Sequence, residues 1–465
     1  MPAKFWKKRF TENWLSFIDS LTQQPGFVFL DASFSSGAYG KYSIAAYDPF
    51  LIFEGKRNEV RIIRKDGVVF LEEEPLEVLE KLLIQYREEY PELPDKNFSY
   101  FTPGAYGFLS YELGYRLQNL TCALKDDLLL PEIRFAFYDK ISIYDHQSKV
   151  AWELISEEDK NMTSCQALLE EGGGFPPLNP IQKKRSLGSF SSSSFTKEEY
   201  NRAFGKLMNH IEKGDIYQAN LCQRFSFPFQ GDPWETYLRL RESHPTPLSA
   251  FLNTGRNFIL SASPELFLKK TGTYIETCPI KGTKRIPLHK NEERRAMDEL
   301  LQSEKDRAEH LMIVDLERND LGRICETASI KVDDFMRVET CGSVFHLVST
   351  VSGKLKSKIS LKEILRGVFP GGSITGAPKR KAMSIIAELE PVVRGVYTGA
   401  LGWIGFSGDF MFNIPIRTAV IQDDFVHFSV GGGIVSDSTS EGEYQEILDK
   451  GEAFFELFGS APAAL

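Results

Sequence analysis

The stretch TCPIKGTKRI, residues 277 to 286, sets Lys281 between Ile280 and Gly282, with Lys284 and Arg285 close behind. An amine kept only for solubility needs neither an apolar neighbour nor a glycine. Desolvation and nearby like charges both disfavour the ammonium form, so this setting favours a neutral, nucleophilic amine. Gly282 lets a ligand approach the main chain closely. The plainer alternative is a lysine that pairs with an anion. The stretch itself reads as a loop.

Paired carboxylates form a second constellation. In SEKDRAEHLMIVDLERND, Asp306 and Glu309 stand three residues apart on one helix face, and Ser303 precedes Asp306 by three, as in a capping box. In SEGEYQEILDK, Glu443 and Glu446 repeat the spacing, with Lys450 four residues beyond Glu446. Ordinary helix pairing accounts for Glu446 with Lys450, worth about 0.3–0.5 kcal/mol. A solvated acidic face is the bland reading of Asp306 and Glu309. Two facing helices with carboxylates at i and i+3 also suit a hard octahedral cation, Mg²⁺, that keeps positions for water and a substrate carboxylate.

Two glycine-rich stretches, FPGGSITGAPKRKAM and SVGGGIVSD, read as turns whose amides can receive an anion. Neither has the spacing of a P-loop or a dinucleotide fingerprint. FMFNIPIRTAV reads as one strand, with Phe412, Ile414 and Ile416 on one face and Asn413, Pro415 and Arg417 on the other. On that strand Arg417 is either exposed or a bidentate partner for a substrate carboxylate.

The elements that must position these residues come from 465 residues, 42% hydrophobic and 26% charged, an ordinary globular composition. The 35 Phe and 17 Tyr suggest extended sheet packed by aromatic side chains. A net charge of −9 argues against a nucleic-acid partner, and no run is long and apolar enough for a membrane span. MPAKFWKKRF is basic but lacks a following apolar segment, so the expected location is cytoplasmic. Six cysteines without a CxxC pair read as reduced thiols.

Residues 1–171 alternate strand-like runs such as YSIAAYDPFLIFEG and IRFAFYDKISIYDH with turns, interrupted by the helical LEVLEKLLIQYREEY. Residues 172–195 are rich in Gly, Pro and Ser and read as an exposed connection. Residues 196–465 carry the chemistry. A capped helix starts at Thr196, a helical region is expected over about 291–320, and a terminal helix over about 440–458.

The motifs GDIYQANLCQRF, SASPELF, PIKGT, KDRAEHLMIVDLERNDLGR, HLVSTVSG, FPGGSITGAPK, IRTAV, GGGIVSDS and EYQEILDK, in this order, resemble the chorismate-utilising enzymes over roughly residues 195–460. YDPF and GFLSYELGY extend the resemblance more loosely to the N-terminal part of the aminating members. The resemblance implies an α+β fold, a four-layer α/β/β/α assembly with two large antiparallel sheets packed face to face. It implies Glu309 and Glu446 as direct Mg²⁺ ligands and Asp306 and Glu443 as outer or water-mediated contacts. Thr283, His346, Tyr397, Arg417, Gly431, Gly433 and Lys450 would line the substrate pocket, with Glu265 as general acid and Lys281 as nucleophile.

Branches of the family that make anthranilate or isochorismate usually show alanine at the position of Lys281. Branches that add water usually show lysine at the position of Gln218. With Lys281 and Gln218, the pattern resembles the branch that exchanges the C4 hydroxyl of chorismate for an amine. That implies chorismate and ammonia as substrates, Mg²⁺, and a separate glutamine amidotransferase subunit, with no nucleic acid and no membrane. Three rivals are weighed against it: an anthranilate-forming enzyme, disfavoured by Lys281, an isochorismate-forming enzyme, disfavoured by Gln218 as well, and a catalytically silent binder of chorismate or tryptophan. The tryptophan element of related members is represented by FLDAS, with Ala32 where a serine is usual and Ser33 one residue away.

Overall fold

Runs of β-branched and aromatic residues pair into two antiparallel sheets of twelve strands each in the computed structural model, which describes residues 4–9, 14–32, 39–89, 103–156, 192–287, 289–342 and 344–459. In the first sheet, Tyr42–Ala46 and Val28–Asp31 lie beside Leu248–Asn253 and Asn257–Ser263, followed by Thr418–Gln422, Phe425–Ile434 and Gln218–Pro228. In the second, Ile280–Arg285, Val344–Lys354, Tyr274–Cys278, Leu266–Thr271, Phe410–Asn413 and Ala400–Gly405 lead into Gly104–Leu109 and Ile133–Tyr138. Each sheet is therefore shared by both parts of the chain, with the early strands together on one side and the late strands together on the other.

Three clusters of buried side chains define four layers. Val28, Ile44, Ala250 and Ile259 of the first sheet meet Ile52, Tyr106, Tyr138 and Trp403 of the second, filling the space between sheets. Helix Pro75–Glu89, helix Glu304–Ile324 and helix Leu361–Val368 cover the outer face of the second sheet through Leu79, Val314, Ile364 and Leu365. Helix Lys197–Glu212, helix Pro233–Ser243 and helix Ser440–Phe458 cover the first through Tyr200, Trp234 and Phe454. The four-layer expectation is met.

Four short links carry the chain from one sheet to the other: Tyr47–Phe50, Asp139–Lys140, Pro264–Glu265 and Ile414–Arg417. They work in pairs. The Tyr47 N–H donates to the Lys140 carbonyl at 3.3 Å, while the Ile414 N–H donates to the Glu265 carbonyl at 2.9 Å and the Ala262 N–H to the Arg417 carbonyl at 3.0 Å. FMFNIPIRTAV is consequently two strands in different sheets, and Arg417 sits on a link at φ 49° instead of alternating along a strand. Pro415 cannot donate to a ladder, which ends the first strand.

The helical region expected over 291–320 is two helices, Lys290–Gln302 and Glu304–Ile324, broken at Ser303. Ser303 accepts from the Asp306 N–H at 3.3 Å, half of a capping box. At Thr196 the full box forms, with Glu199 returning the bond. SVGGGIVSD is not a turn: its glycines belong to strand Phe425–Ile434, paired with Gln218–Pro228. Most of the 172–195 connection lies outside the described residues.

Candidate active site

Lys281 lies on strand Ile280–Arg285, not on a loop, and a bulge at Gly282 separates the Lys281–Leu347 pair from the Thr283–His346 pair. Gly282 takes φ 77°, and a Cβ there would stand 3.2 Å from Asp306 Cβ and Leu347 Cδ1, so only glycine permits both the bulge and the close helix Glu304–Ile324. Lys284 pairs with Glu299 at 2.6 Å, and Arg285 is exposed. The cation that acts on Lys281 is instead Lys450, from the last helix. Burial and Lys450 lower the Lys281 pKa, against the opposing pull of Glu309, Glu265 and Glu446. Among the described residues the amine has no hydrogen-bond or ion-pair partner.

Glu265 sits on the link Pro264–Glu265 and is buried, with Oε1 accepting from Ser373 Oγ at 2.7 Å. Burial pushes its pKa up to about 7, although the Ser373 hydroxyl and Lys281 pull the other way. A carboxyl that titrates near neutrality can deliver a proton. Ser373 belongs to the turn Gly372–Ile374, where Gly372 N–H donates to Glu317 Oε1 at 3.0 Å. That amide is spent inside the protein. The first glycine-rich stretch therefore serves to hold Ser373 against Glu265, a role the sequence reading, directed at its backbone, missed.

The three glycines of strand Phe425–Ile434 are explained by what stands on each side. A Cβ at Gly433 would meet Gln218 Nε2 at 2.7 Å and Lys281 Nζ at 3.3 Å, and one at Gly431 would meet Asn220 Oδ1 at 2.5 Å and Cys222 Sγ at 2.7 Å. A Cβ at Gly432 would meet Glu443 Oε2 at 2.5 Å. The bare strand lets amide and amine groups on one face approach carboxylates on the other. The period-two spacing of Gln218, Asn220 and Cys222 already puts them on one face, which is the signal by which Asn220 was findable.

Arg417 is enclosed but carries no ion pair or side-chain hydrogen bond among the described residues. Burial lowers its pKa. Its charge reaches His346, whose Nδ1 shares a 3.1 Å hydrogen bond with Thr283 Oγ1 and whose Nε2 is buried without a partner. Burial first, then Arg417, lower the His346 pKa to about 4, so the ring is neutral at physiological pH. Tyr397 is buried and hydrogen-bonded with Cys222, and burial raises its pKa far above the ordinary value.

Glu309 and Asp306 face strand Ile280–Arg285 from helix Glu304–Ile324, and Glu443, Glu446 and Lys450 face Gly431 and Gly432 from helix Ser440–Phe458. Lys450 Nζ lies 2.5 Å from Glu446 Oε1 and 3.3 Å from the Gly431 carbonyl, and Lys305 lies 3.8 Å from Glu309. Burial opposes ionisation of Glu446, but Lys450, then Lys281 and Lys305, hold its pKa below the ordinary value. Glu443 Oε2 is buried without a hydrogen-bond partner. Among the described residues no three acidic, histidine or cysteine side chains already form a metal-holding cluster. The hard oxygen donors and the orphaned Glu443 oxygen nonetheless fit a Mg²⁺ ion in chemistry.

A protonatable carboxyl, an unpaired amine, an unpaired guanidinium and two helices of carboxylates surround one glycine-bared strand. The family model of chorismate binding enzymes matches residues 33–456. The chain belongs to that family. It is 37% identical to aminodeoxychorismate synthase component 1 of Bacillus subtilis, over 88% of each chain, and 36% identical to the Escherichia coli protein of that name, over 96% of this chain and 95% of the other. Among solved structures, anthranilate synthase component I from Streptococcus pneumoniae superposes with a TM-score of 0.74 at 30% identity, covering 89% of this chain and 92% of that one. Among the described residues of this chorismate binding enzyme no helix is long and apolar enough to cross a membrane. Ala32 is buried and its N–H donates to Ser43 Oγ at 2.9 Å, while Ser33 lies outside the described residues.

Proposed function

We propose that the chain replaces the C4 hydroxyl of chorismate by ammonia, giving 4-amino-4-deoxychorismate for para-aminobenzoate and folate synthesis. The observation that carries this reading is the unpaired, burial-depressed Lys281 amine close enough to a pKa-7 Glu265 for each to shift the other. Neutral Lys281 Nζ adds to C2 of the ring. The two conjugated ring double bonds shift toward C4, the C4–O bond breaks, and Glu265 donates the proton that lets the hydroxyl leave as water. Ammonia then attacks C4, the double bonds shift back, and the C2–N bond breaks to release Lys281. The proton lost by the new amine returns to the Glu265 carboxylate, restoring the acid.

Arg417, without an ion-pair or side-chain hydrogen-bond partner among the described residues, receives one substrate carboxylate, and His346, Thr283, Tyr397, Gly431 and Gly433 shape the pocket around the ring. Mg²⁺, held by Glu309 and Glu446 with Asp306 and Glu443 behind, would supply positive charge for a second carboxylate that an acidic protein otherwise repels. The name component 1 on the B. subtilis and E. coli relatives supports a partner component, which we read as a glutamine amidotransferase delivering ammonia. The location is read as cytoplasmic, and residues 1–171 and 196–465 as the N-terminal and chorismate-binding regions.

Incubation with chorismate, Mg²⁺ and an ammonium salt should yield 4-amino-4-deoxychorismate by mass spectrometry, with no product from glutamine alone. Anthranilate as product would favour the anthranilate-forming rival, and no turnover the silent binder. With ammonia left out, a chorismate-derived adduct should appear on the peptide containing Lys281. Lys281→Arg should be inactive, and a missing adduct with near-normal activity in that variant would leave the lysine an electrostatic contact.

A further inference from the structure

An open cavity of about 610 Å³ lies where the C-terminal ends of helix Glu304–Ile324 and helix Leu361–Val368 approach the start of helix Lys379–Leu389. Its rim carries five exposed cations, Arg323, Lys356, Lys358, Arg366 and Arg380, in a protein whose net charge is −9. Its only carboxylate, Glu363, is engaged by the N–H and hydroxyl of Ser360 in that helix's own capping box.

Compensation of helix dipoles accounts for Arg323 and Arg366, which stand in last turns where positive charge is stabilising. It does not account for the others. Arg380 is the second residue of its helix, whose first turn contains no acid, so the dipole there opposes it. Lys358 precedes the Ser360 cap and adopts φ 59°, a left-handed conformation that costs a non-glycine residue energy. Nor are these charges neutralised internally. Arg380 Nε donates to the Gln118 carbonyl at 3.2 Å and Lys356 Nζ to the Arg323 carbonyl at 2.5 Å, while Arg323 reaches Asp320 only at 3.9 Å. Lys358 and Arg366 have no side-chain partner among the described residues.

We propose that this cavity is a binding site for a phosphate-bearing small anion, separate from the chorismate site. The arginine forks match phosphate oxygens in geometry, and the two lysines add point charge. Lys379, which follows Pro378 beside Arg380, is not part of it, being buried in an ion pair with Asp320.

Isothermal titration calorimetry with inorganic pyrophosphate, on the whole chain without Mg²⁺ or chorismate, tests the assignment apart from any catalytic reading. The wild type should bind one equivalent, more weakly as salt rises. Arg366→Ala/Arg380→Ala should weaken binding at least about tenfold, the effect of losing charge-assisted hydrogen bonds. Arg202→Ala/Lys206→Ala, the same charge change on helix Lys197–Glu212, should leave it unaltered. Lys358→Gly should weaken binding while raising the melting temperature, since glycine relieves the left-handed backbone; a purely structural lysine would not separate the two. No binding at millimolar pyrophosphate, or equal loss in the helix Lys197–Glu212 control, overturns the proposal.

Discussion

Four of the passages between the sheets are short links that form two matched pairs, and the pairs differ in what their charged side chains find. In the first, Lys140 meets Asp48 at 2.7 Å across the links, and the charge is closed internally. In the second, Glu265 and Arg417 lie on links that hydrogen-bond through their backbones, yet neither side chain has an ion-pair partner among the described residues. Even the backbone matches: Asp48 and Arg417 are non-glycine residues at φ 56° and 49°. One device therefore serves once as a structural clasp and once as a frame that holds an acid and a cation apart. Enclosed, uncompensated charge costs stability, so retaining it makes sense where a ligand supplies the compensation.

The comparison breaks first at Glu265. Glu265→Gln keeps the shape and the Ser373 contact but removes the proton. Ammonia-dependent turnover should fall about 10²–10⁴-fold, the range for general-acid loss, with the melting temperature unchanged or higher. Turnover above a tenth of the wild type would return Glu265 to the structural class.

Arg417→Lys is the next largest test. It keeps a charge but loses the two-pronged geometry, so kcat/KM should drop roughly 100-fold, mainly through KM for chorismate, if a bidentate contact worth about 2–3 kcal/mol is lost. A fall confined to kcat would mean that the guanidinium does not hold the ground-state substrate.

A smaller effect sharpens the role of Ser373. In the proposed mechanism Glu265 acts as its protonated form, so at constant free ammonia the rate should decline as pH rises through about 7. Ser373 donates to the carboxylate and favours its charged form, lowering the pKa. Removing that donor in Ser373→Ala raises the pKa and should move the alkaline limb to higher pH. A limb that stays in place, or moves down, would show that another group sets it.

The sequence made some of this legible and hid the rest for physical reasons. Helix faces follow from spacing, so the carboxylates of Asp306, Glu309, Glu443 and Glu446 were readable on their stripes, and the Thr196 cap was readable from its box. The sheet links were not, because alternation says which face a residue takes and nothing about which sheet its strand joins. A sign was present: Pro49, Pro264 and Pro415 stand in three of the four links, where a ladder donor is missing. The cation beside Lys281 was beyond reach, since Lys284 is held by Glu299 while Lys450 arrives from the last helix, far away in the sequence.

The smallest expected effect belongs to the clasp. Lys140 and Asp48 are partly shielded, at 17% and 24% side-chain exposure, and their 2.7 Å contact joins two links of opposite chain direction. Lys140→Ala leaves Asp48 without this cation and should lower stability by about 1 kcal/mol, toward the upper end for pairs that water still reaches. Asp48→Asn, Lys140→Ala and the double variant form a cycle in denaturant unfolding that separates the pair's coupling from the other contacts of each residue. Turnover and KM for chorismate should stay at wild-type values in all three, since the clasp touches no part of the candidate site. A coupling near zero would mean that backbone hydrogen bonds alone join the first pair of links. A change in KM would mean that the two pairs are mechanically connected through the space between the sheets, and the contrast between clasp and frame would then describe one coupled unit.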